Sequence, residues 1–347
     1  MRPDAPVAII GAGSWGTALA VVLGRIGTAV RLWDYWPEHI RRVAAERINE
    51  RFLPGVALPA DVQPCEDIEQ AVRGAASIMM AVPAIGMREQ ARRLRPLLDS
   101  SPLIISAAKG LEERTGLRMS QVIAQEIPAV AHSVVALSGP NLAVEVARGV
   151  PTTTVVACAD AEHARRAQAL FMQPAFRVYT NSDVIGVEFG GALKNIIAIA
   201  AGVSDGLGFG DNTKAALVTR GLAEIRRLGV ALGARADTFG GLSGMGDLVA
   251  TCASRHSRNH RVGFLLAQDK SLDEILASMD QVAEGVPTTR AAILLAERAA
   301  VEMPIARAVH SVLFEGIPAK EAVAGLMTRT GKDELDEPWI TNGSPSS

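Results

Sequence analysis

The chain reads as an α/β protein: a Rossmann-type, doubly wound, mainly parallel sheet followed by an all-helical second domain. Three observations predict this. Short Val- and Ile-rich runs alternate with amphipathic segments through the first half. The first run leads straight into the pattern G-x-G-x-x-G. Beyond residue 182 the runs stop, and almost every remaining stretch has helical spacing.

The apolar runs cover residues 7–10, 29–33, 77–82, 103–107, 134–137, 153–157 and 177–179, and most end at Gly, Pro, Asp or Lys. Strands covered by helices on both faces look like this, because neither face meets water. Segments 16–25, 37–50, 85–94 and 161–171 carry the spacing of amphipathic helices. Such alternation winds a sheet with a crevice at the carboxyl ends of its strands. Residues 183–203 then read as one long helix with small residues at Gly186, Gly190, Gly191 and Ala192. Further helices are predicted over 213–232, 261–266, 272–278, 288–299, 305–313 and 319–327. The expected domains are 1–184 and 185–335, with a frayed tail rich in Pro, Gly, Asn and Ser over 336–347.

Composition narrows the function. Apolar residues make up 48% of the 347, enough for a substantial core. With 35 Lys+Arg against 37 Asp+Glu, nothing asks for nucleic acid or an anionic membrane. Any site for an anion must therefore be local. The three cysteines, Cys65, Cys158 and Cys252, are scattered and odd in number, which argues against a disulfide framework. The six histidines form no metal-ligand spacing, so no metal is expected. The N-terminus lacks a signal-peptide h-region, and no apolar run reaches the ~18–20 residues of a membrane span. A cytoplasmic protein is expected.

Residues 7–10 run into Gly11-Ala12-Gly13-Ser14-Trp15-Gly16. In such a loop the first glycine permits the tight turn, the second admits a pyrophosphate, and the third lets helix and strand pack closely. The pyrophosphate then meets free N–H groups at a helix N-terminus. Asp34 ends the second strand, where a carboxylate accepts hydrogen bonds from the adenosine ribose hydroxyls of NAD. The same carboxylate repels the 2′-phosphate of NADP, at roughly 3 kcal/mol for like charges ~5 Å apart at an effective dielectric of about 20. NAD is the expected cofactor. NADP is expected to be weaker by about tenfold to hundredfold after solvent screening, unless Arg41 or Arg42 swings in.

Reducing a carbonyl leaves an alkoxide that needs a proton or a cation, and a lysine supplies both. Lysines are few in this arginine-rich chain. Lys109 ends the strand over 103–107, at the sheet's binding edge, and Lys194 lies in the Gly/Ala-rich helix. A third segment joins Ser243-Gly244-Met245-Gly246-Asp247 to Ser257-Arg258-Asn259, where Arg258 suits a phosphate.

The segments GAGSWGTALA (11–20), N-x-x-F-L-P-G (49–55), AVPA (81–84), AAKGLE (107–112), LSGPN-x-A-x-E-V (137–146), GALKNIIAIAAG (191–202), GLSGMGDL-x-ATC (241–252), SRN (257–259) and VAEGV-x-T (282–288) resemble the NAD(P)-dependent glycerol-3-phosphate dehydrogenases, in order across residues 7–290. The resemblance implies that Lys194 is the general acid/base and that Lys109 touches substrate and nicotinamide. It places Gly139, Asn141, Asp247, Ser257, Arg258 and Asn259 around the substrate. It also places Ser14, Trp15, Tyr35, Ala143, Arg258, Val282 and Glu284 against the cofactor. It further implies synthesis of glycerol 3-phosphate for phospholipids, and a homodimer. Two positions depart from the family pattern. Asn141 stands where bacterial members usually have Ser or Thr, and Trp33-Asp34-Tyr35 lacks the basic residue many members carry there. A related hydroxyacid dehydrogenase and a non-catalytic NAD(H)-binding redox sensor are the competing readings. The Ser257–Asn259 segment with Asp247 speaks against the first, and the two lysines against the second.

Overall fold

The computed structural model describes residues 5–98, 101–254, 256–331 and 334; the frayed tail expected over 336–347 lies outside them. Among the described residues ten strands form in chain order: β1 (Val7–Ile10), β2 (Val30–Trp33), β3 (Ile48–Asn49), β4 (Leu53–Ala57), β5 (Val62–Cys65), β6 (Ser77–Met80), β7 (Leu103–Ser106), β8 (Val135–Ser138), β9 (Thr152–Ala157) and β10 (Phe176–Asn181). Eight of them make one sheet in the order β10-β9-β8-β7-β6-β1-β2-β5, and β3 pairs with β4 separately. All neighbours in the large sheet run parallel except β8 and β9.

The alternation of side chains across the pleat accounts for two separate cores. Val7, Ile9, Leu32, Ile105 and Leu137 face the helices Ser14–Gly24 and Ala161–Phe171. Ala8, Ile10, Trp33, Ile78 and Ile104 face the helices Ala84–Leu94 and Met119–Glu126. The order reverses at β1: the chain moves outward through β2 to β5, then returns to place β6 on the other side of β1. Loops diverge from such a switch point and leave a crevice above the carboxyl ends. Here the diverging loops are the glycine loop after β1 and residues 81–84 after β6.

Beyond β10 no strand occurs among the described residues. The helix Val184–Gly206 is buried almost throughout and is packed by the helices Asp211–Ala231, Asp247–Ala253, Arg258–Leu266 and Gly285–Arg298. It is long and apolar enough to cross a membrane by length and composition, although its apolar stretch at 196–202 is bracketed in the sequence by Lys194 and Asp205 and reads as too short for a span. Of its most apolar window, 78% is buried inside the fold. Asp183 anchors its start: Oδ1 accepts from Gly186 N at 2.9 Å, and Oδ2 accepts from Thr238 Oγ1 at 2.7 Å and Arg235 N at 2.9 Å.

Candidate active site

Lys194 reaches the crevice because its helix lies unusually close to β8. A Cβ at Gly191 would stand 2.4 Å from Ser138 Oγ, so only glycine allows this approach without movement. One turn on, Lys194 enters the junction with its side chain 7% exposed. Its Nζ donates to Asp247 Oδ1 at 2.6 Å and to Thr251 Oγ1 at 2.5 Å. From the loop after β7, Lys109 Nζ donates to Asp247 Oδ2 at 2.8 Å and to Gly139 O at 2.7 Å. One buried carboxylate thus holds two ammonium groups. Burial of an ion costs several kcal/mol, and a well-placed counter-charge only partly offsets it. Accordingly burial lowers the Lys194 pKa to about 8, against the pull of Asp247 and helped by the nearby Lys109 charge.

Asp247 opens its helix directly after a π-type turn at Leu242–Gly246, a feature often found at functional sites. Thr251, one turn later, donates to Asp247 O at 2.7 Å. Sequence reasoning missed Thr251, although its i+4 spacing from Asp247 puts both on one helix face. It also missed Asn195. Asn195 Nδ2 donates to Lys109 O at 2.9 Å, its Oδ1 accepts from Asn259 Nδ2 at 2.9 Å, and Asn259 Oδ1 accepts from Gly285 N at 2.9 Å. Asn259 is therefore largely engaged within the protein. Asn141 is similarly tied to β9, donating to Thr153 O at 3.0 Å and accepting from Thr154 Oγ1 at 2.9 Å.

Ser257 caps the helix Arg258–Leu266, accepting from His260 N at 3.2 Å. Arg258 Nη1 donates to Val282 O at 2.8 Å. Its side chain is open to the cleft, and the protein walls around it lower its pKa, with Glu284 opposing. Glu284 Oε1 accepts from Ala84 N at 2.9 Å across the cleft, while its Oε2 has no partner among the described residues. Burial pushes the Glu284 carboxyl up to about 7, against the Ala84 N–H and the Arg258 charge.

The glycine loop fits a dinucleotide. Gly11 adopts φ +109°, and a Cβ at Gly16 would lie 1.9 Å from Gly11 O. At Gly13 a Cβ would meet nothing within 4 Å, so the space above the loop is open. The helix Ser14–Gly24 has no side-chain cap, which leaves its first-turn amides for a ligand. Ser14 Oγ donates to Phe52 O at 2.6 Å and stands 3.0 Å from Gln281 Oε1, and the buried Trp15 Nε1 has no partner among the described residues. Ala143 starts the helix Ala143–Arg148 and packs against the glycine-loop side of the core. Asp34 is buried: Oδ2 accepts from Ala12 N at 2.7 Å and Oδ1 from Trp36 N at 3.1 Å. Tyr35 stands apart, half-exposed, beneath the Arg93 guanidinium. Among the described residues no cluster of His, Cys, Asp and Glu could hold a metal ion.

A glycine loop at the switch point of a doubly wound sheet, facing two lysines on a shared carboxylate, defines a nicotinamide-dinucleotide-dependent oxidoreductase. Comparison with known proteins narrows that class. Residues 6–164 match the family model of the NAD-dependent glycerol-3-phosphate dehydrogenase N-terminus, and residues 183–324 that of its C-terminus. The glycerol-3-phosphate dehydrogenase [NAD(P)+] of Pelotomaculum thermopropionicum is 52% identical over 332 residues, covering 95% of both chains. That of Geobacillus kaustophilus is 52% identical, covering 95% of this chain and 96% of its own. The crystal structure of glycerol-3-phosphate dehydrogenase from Coxiella burnetii superposes with a TM-score of 0.90 at 39% identity, covering 94% of this chain and 99% of that one. The chain belongs to the NAD-dependent glycerol-3-phosphate dehydrogenase family. A ketopantoate reductase from Ralstonia eutropha, at TM-score 0.57 and 17% identity, shares the fold alone.

Proposed function

We propose that the chain reversibly interconverts dihydroxyacetone phosphate and sn-glycerol 3-phosphate with a nicotinamide cofactor. The observation that carries this reading is the pair Lys194 and Lys109 on Asp247, with Arg258 facing the same cleft. The cofactor supplies or takes the hydride. Lys194 donates a proton to the oxygen that gains charge as the carbonyl is reduced, and neutral Lys194 takes it back in oxidation. Asp247 and Thr251 aim the Lys194 ammonium, and Lys109 adds a second cation beside it. Arg258, with donors left beyond its bond to Val282 O, binds the phosphate, aided by Ser257 and Asn259 at the start of the same helix. Gly139 and Asn141 complete the substrate wall. On the cofactor side, Gly11, Gly13, Ser14, Trp15 and Gly16 cradle the pyrophosphate, and Asp34 and Tyr35 border the adenosine. Ala143, Val282 and Glu284 close the remaining sides. NAD is the principal cofactor and NADP the weaker one.

The division of labour is a dinucleotide-binding unit over 1–184 and a catalytic helical unit over 185–335. The remaining parts of the reading are a cytoplasmic homodimer working toward glycerol 3-phosphate for phospholipid synthesis. A redox sensor needs neither lysine, and a hydroxyacid dehydrogenase has no use for a phosphate-binding arginine. The test is NADH absorbance on adding dihydroxyacetone phosphate or a panel of 2-oxo acids. Loss of absorbance with the phosphorylated triose alone supports the proposal. Turnover only with an oxo acid, or with nothing, rejects it.

A further inference from the structure

The end of β2 holds an anion where the 2′-phosphate of NADP would arrive, and a cation waits beside it. The Asp34 carboxylate is fixed by the amides of Ala12 and Trp36, so it cannot turn away from a second anion. The two arginines that follow it in sequence are committed elsewhere: Arg41 pairs with Glu66 at 3.0 Å and Arg42 with Glu46 at 2.8 Å. Arg93 differs. It comes from the last turn of the helix Ala84–Leu94, which packs against the sheet face that carries Trp33. Its guanidinium lies over the Trp33 ring, 5.3 Å from the centroid, and over the Tyr35 ring, 5.7 Å from the centroid. These are the two residues that flank Asp34 in the chain. Arg93 is exposed, and, unlike its neighbour Arg92, which pairs with Glu126, it has no hydrogen bond or ion pair among the described residues. Stacking on ring faces leaves the in-plane N–H groups of a guanidinium available.

We infer that Arg93 is a cofactor-selectivity residue that binds the 2′-phosphate of NADP and so offsets the repulsion from Asp34. The inference rests on the proposed cofactor site and names what that site adds for the phosphorylated cofactor. The chemistry fits, because a planar guanidinium with free donors is the side chain best matched to a phosphate. It also places a cation beside the acidic β2 end without help from Arg41 or Arg42. The competing role is packing: Arg93 could serve only to cover Trp33 and Tyr35. That role treats the two cofactors alike.

The test measures binding without turnover. Adenosine 2′,5′-bisphosphate and adenosine 5′-monophosphate are titrated calorimetrically into the full chain, its Arg93→Ala variant and its Arg93→Lys variant. Arg93→Ala should weaken the bisphosphate relative to the monophosphate by about tenfold, and Arg93→Lys should recover most of the ratio. In steady state, the ratio of kcat/KM for NADPH to that for NADH should fall by a similar factor in Arg93→Ala. An unchanged ratio in both measurements overturns the inference, whether both ligands weaken equally or neither does. Failure of the wild type to reduce dihydroxyacetone phosphate would reject the proposed function instead, and the nucleotide titration would still decide the role of Arg93.

Discussion

At the scale of the residue, the two lysines of the proposed site share one carboxylate. Asp247 faces Lys194 with one oxygen and Lys109 with the other, so neither ammonium is buried alone. The cost of burial remains visible in Lys194, whose pKa falls to about 8. The sign of the consequence depends on direction. In the proposed role, carbonyl reduction needs Lys194 protonated, so kcat should decline as pH rises through about 8; alcohol oxidation needs it neutral, so kcat should climb over the same range. Lys194→Ala should lower kcat by about 10²–10⁴-fold, the usual range for losing a general acid, and should flatten that limb of both profiles. A variant that retains the limb would place the titration on another group. Arg258 makes a separable contribution. Arg258→Ala removes a charge-assisted contact of about 1.5–3 kcal/mol, so KM for dihydroxyacetone phosphate should rise at least tenfold. Unphosphorylated dihydroxyacetone should suffer much less, and equal losses for the two compounds would mean that Arg258 does not read the phosphate.

At the scale of the element, the place of Lys194 depends on how deep one helix sits. Gly191 brings the helix Val184–Gly206 against Ser138, leaving 2.4 Å between a notional Cβ and Ser138 Oγ. Gly191→Ala should lift that helix by a fraction of an ångström to about an ångström, and misplacement on that scale costs up to about 10²-fold in rate. Ser138 Oγ has no hydrogen-bond partner among the described residues, so deleting it should be nearly neutral. The next nearest atom, Ser138 Cβ, stands 3.5 Å away, an ordinary contact. The double variant Gly191→Ala/Ser138→Ala should therefore recover most of the lost kcat. Loss without recovery would mean that the glycine matters for something other than this approach. Long elements such as Val184–Gly206 and Asp211–Ala231 were legible in the sequence because their periodicity spans several turns. The short helices Met119–Glu126, Ala143–Arg148 and Asp247–Ala253 were not, since so few residues define no period. Strand β5 also escaped notice, because Val62-Gln63-Pro64-Cys65 is not an apolar run, and its place at the sheet edge tolerates the proline.

At the scale of the whole molecule, the crevice belongs to neither unit alone. Ser14 of the glycine loop meets Gln281 at 3.0 Å, the Ala84 amide meets Glu284 at 2.9 Å, and Lys109 meets Asp247 at 2.8 Å. All but Gln281 of these residues lie in motifs visible in the sequence, but the partnerships are tertiary: 267, 200 and 138 residues separate them. Spacing rules read neighbours a few positions apart and say nothing at such distances. This is why Lys109, Lys194 and Asp247 were visible as candidates while their common bond was not. The arrangement has a thermodynamic consequence. A ligand that binds only the folded state stabilises it by RT ln(1 + [L]/Kd), about 2.7 kcal/mol at 100 times Kd. If the cofactor rests on the glycine loop and also on Arg258, Val282 and Glu284, that stabilisation must reach both units. Calorimetry of the chain with and without saturating NADH therefore separates two outcomes. A single transition shifted upward, or two transitions that both move, agrees with a cofactor gripped from both sides. If only the transition of the sheet unit moves, as identified by hydrogen exchange of β1 against the helix Gly285–Arg298, the helical unit takes no part in holding the cofactor, and the roles assigned to Val282 and Glu284 fall.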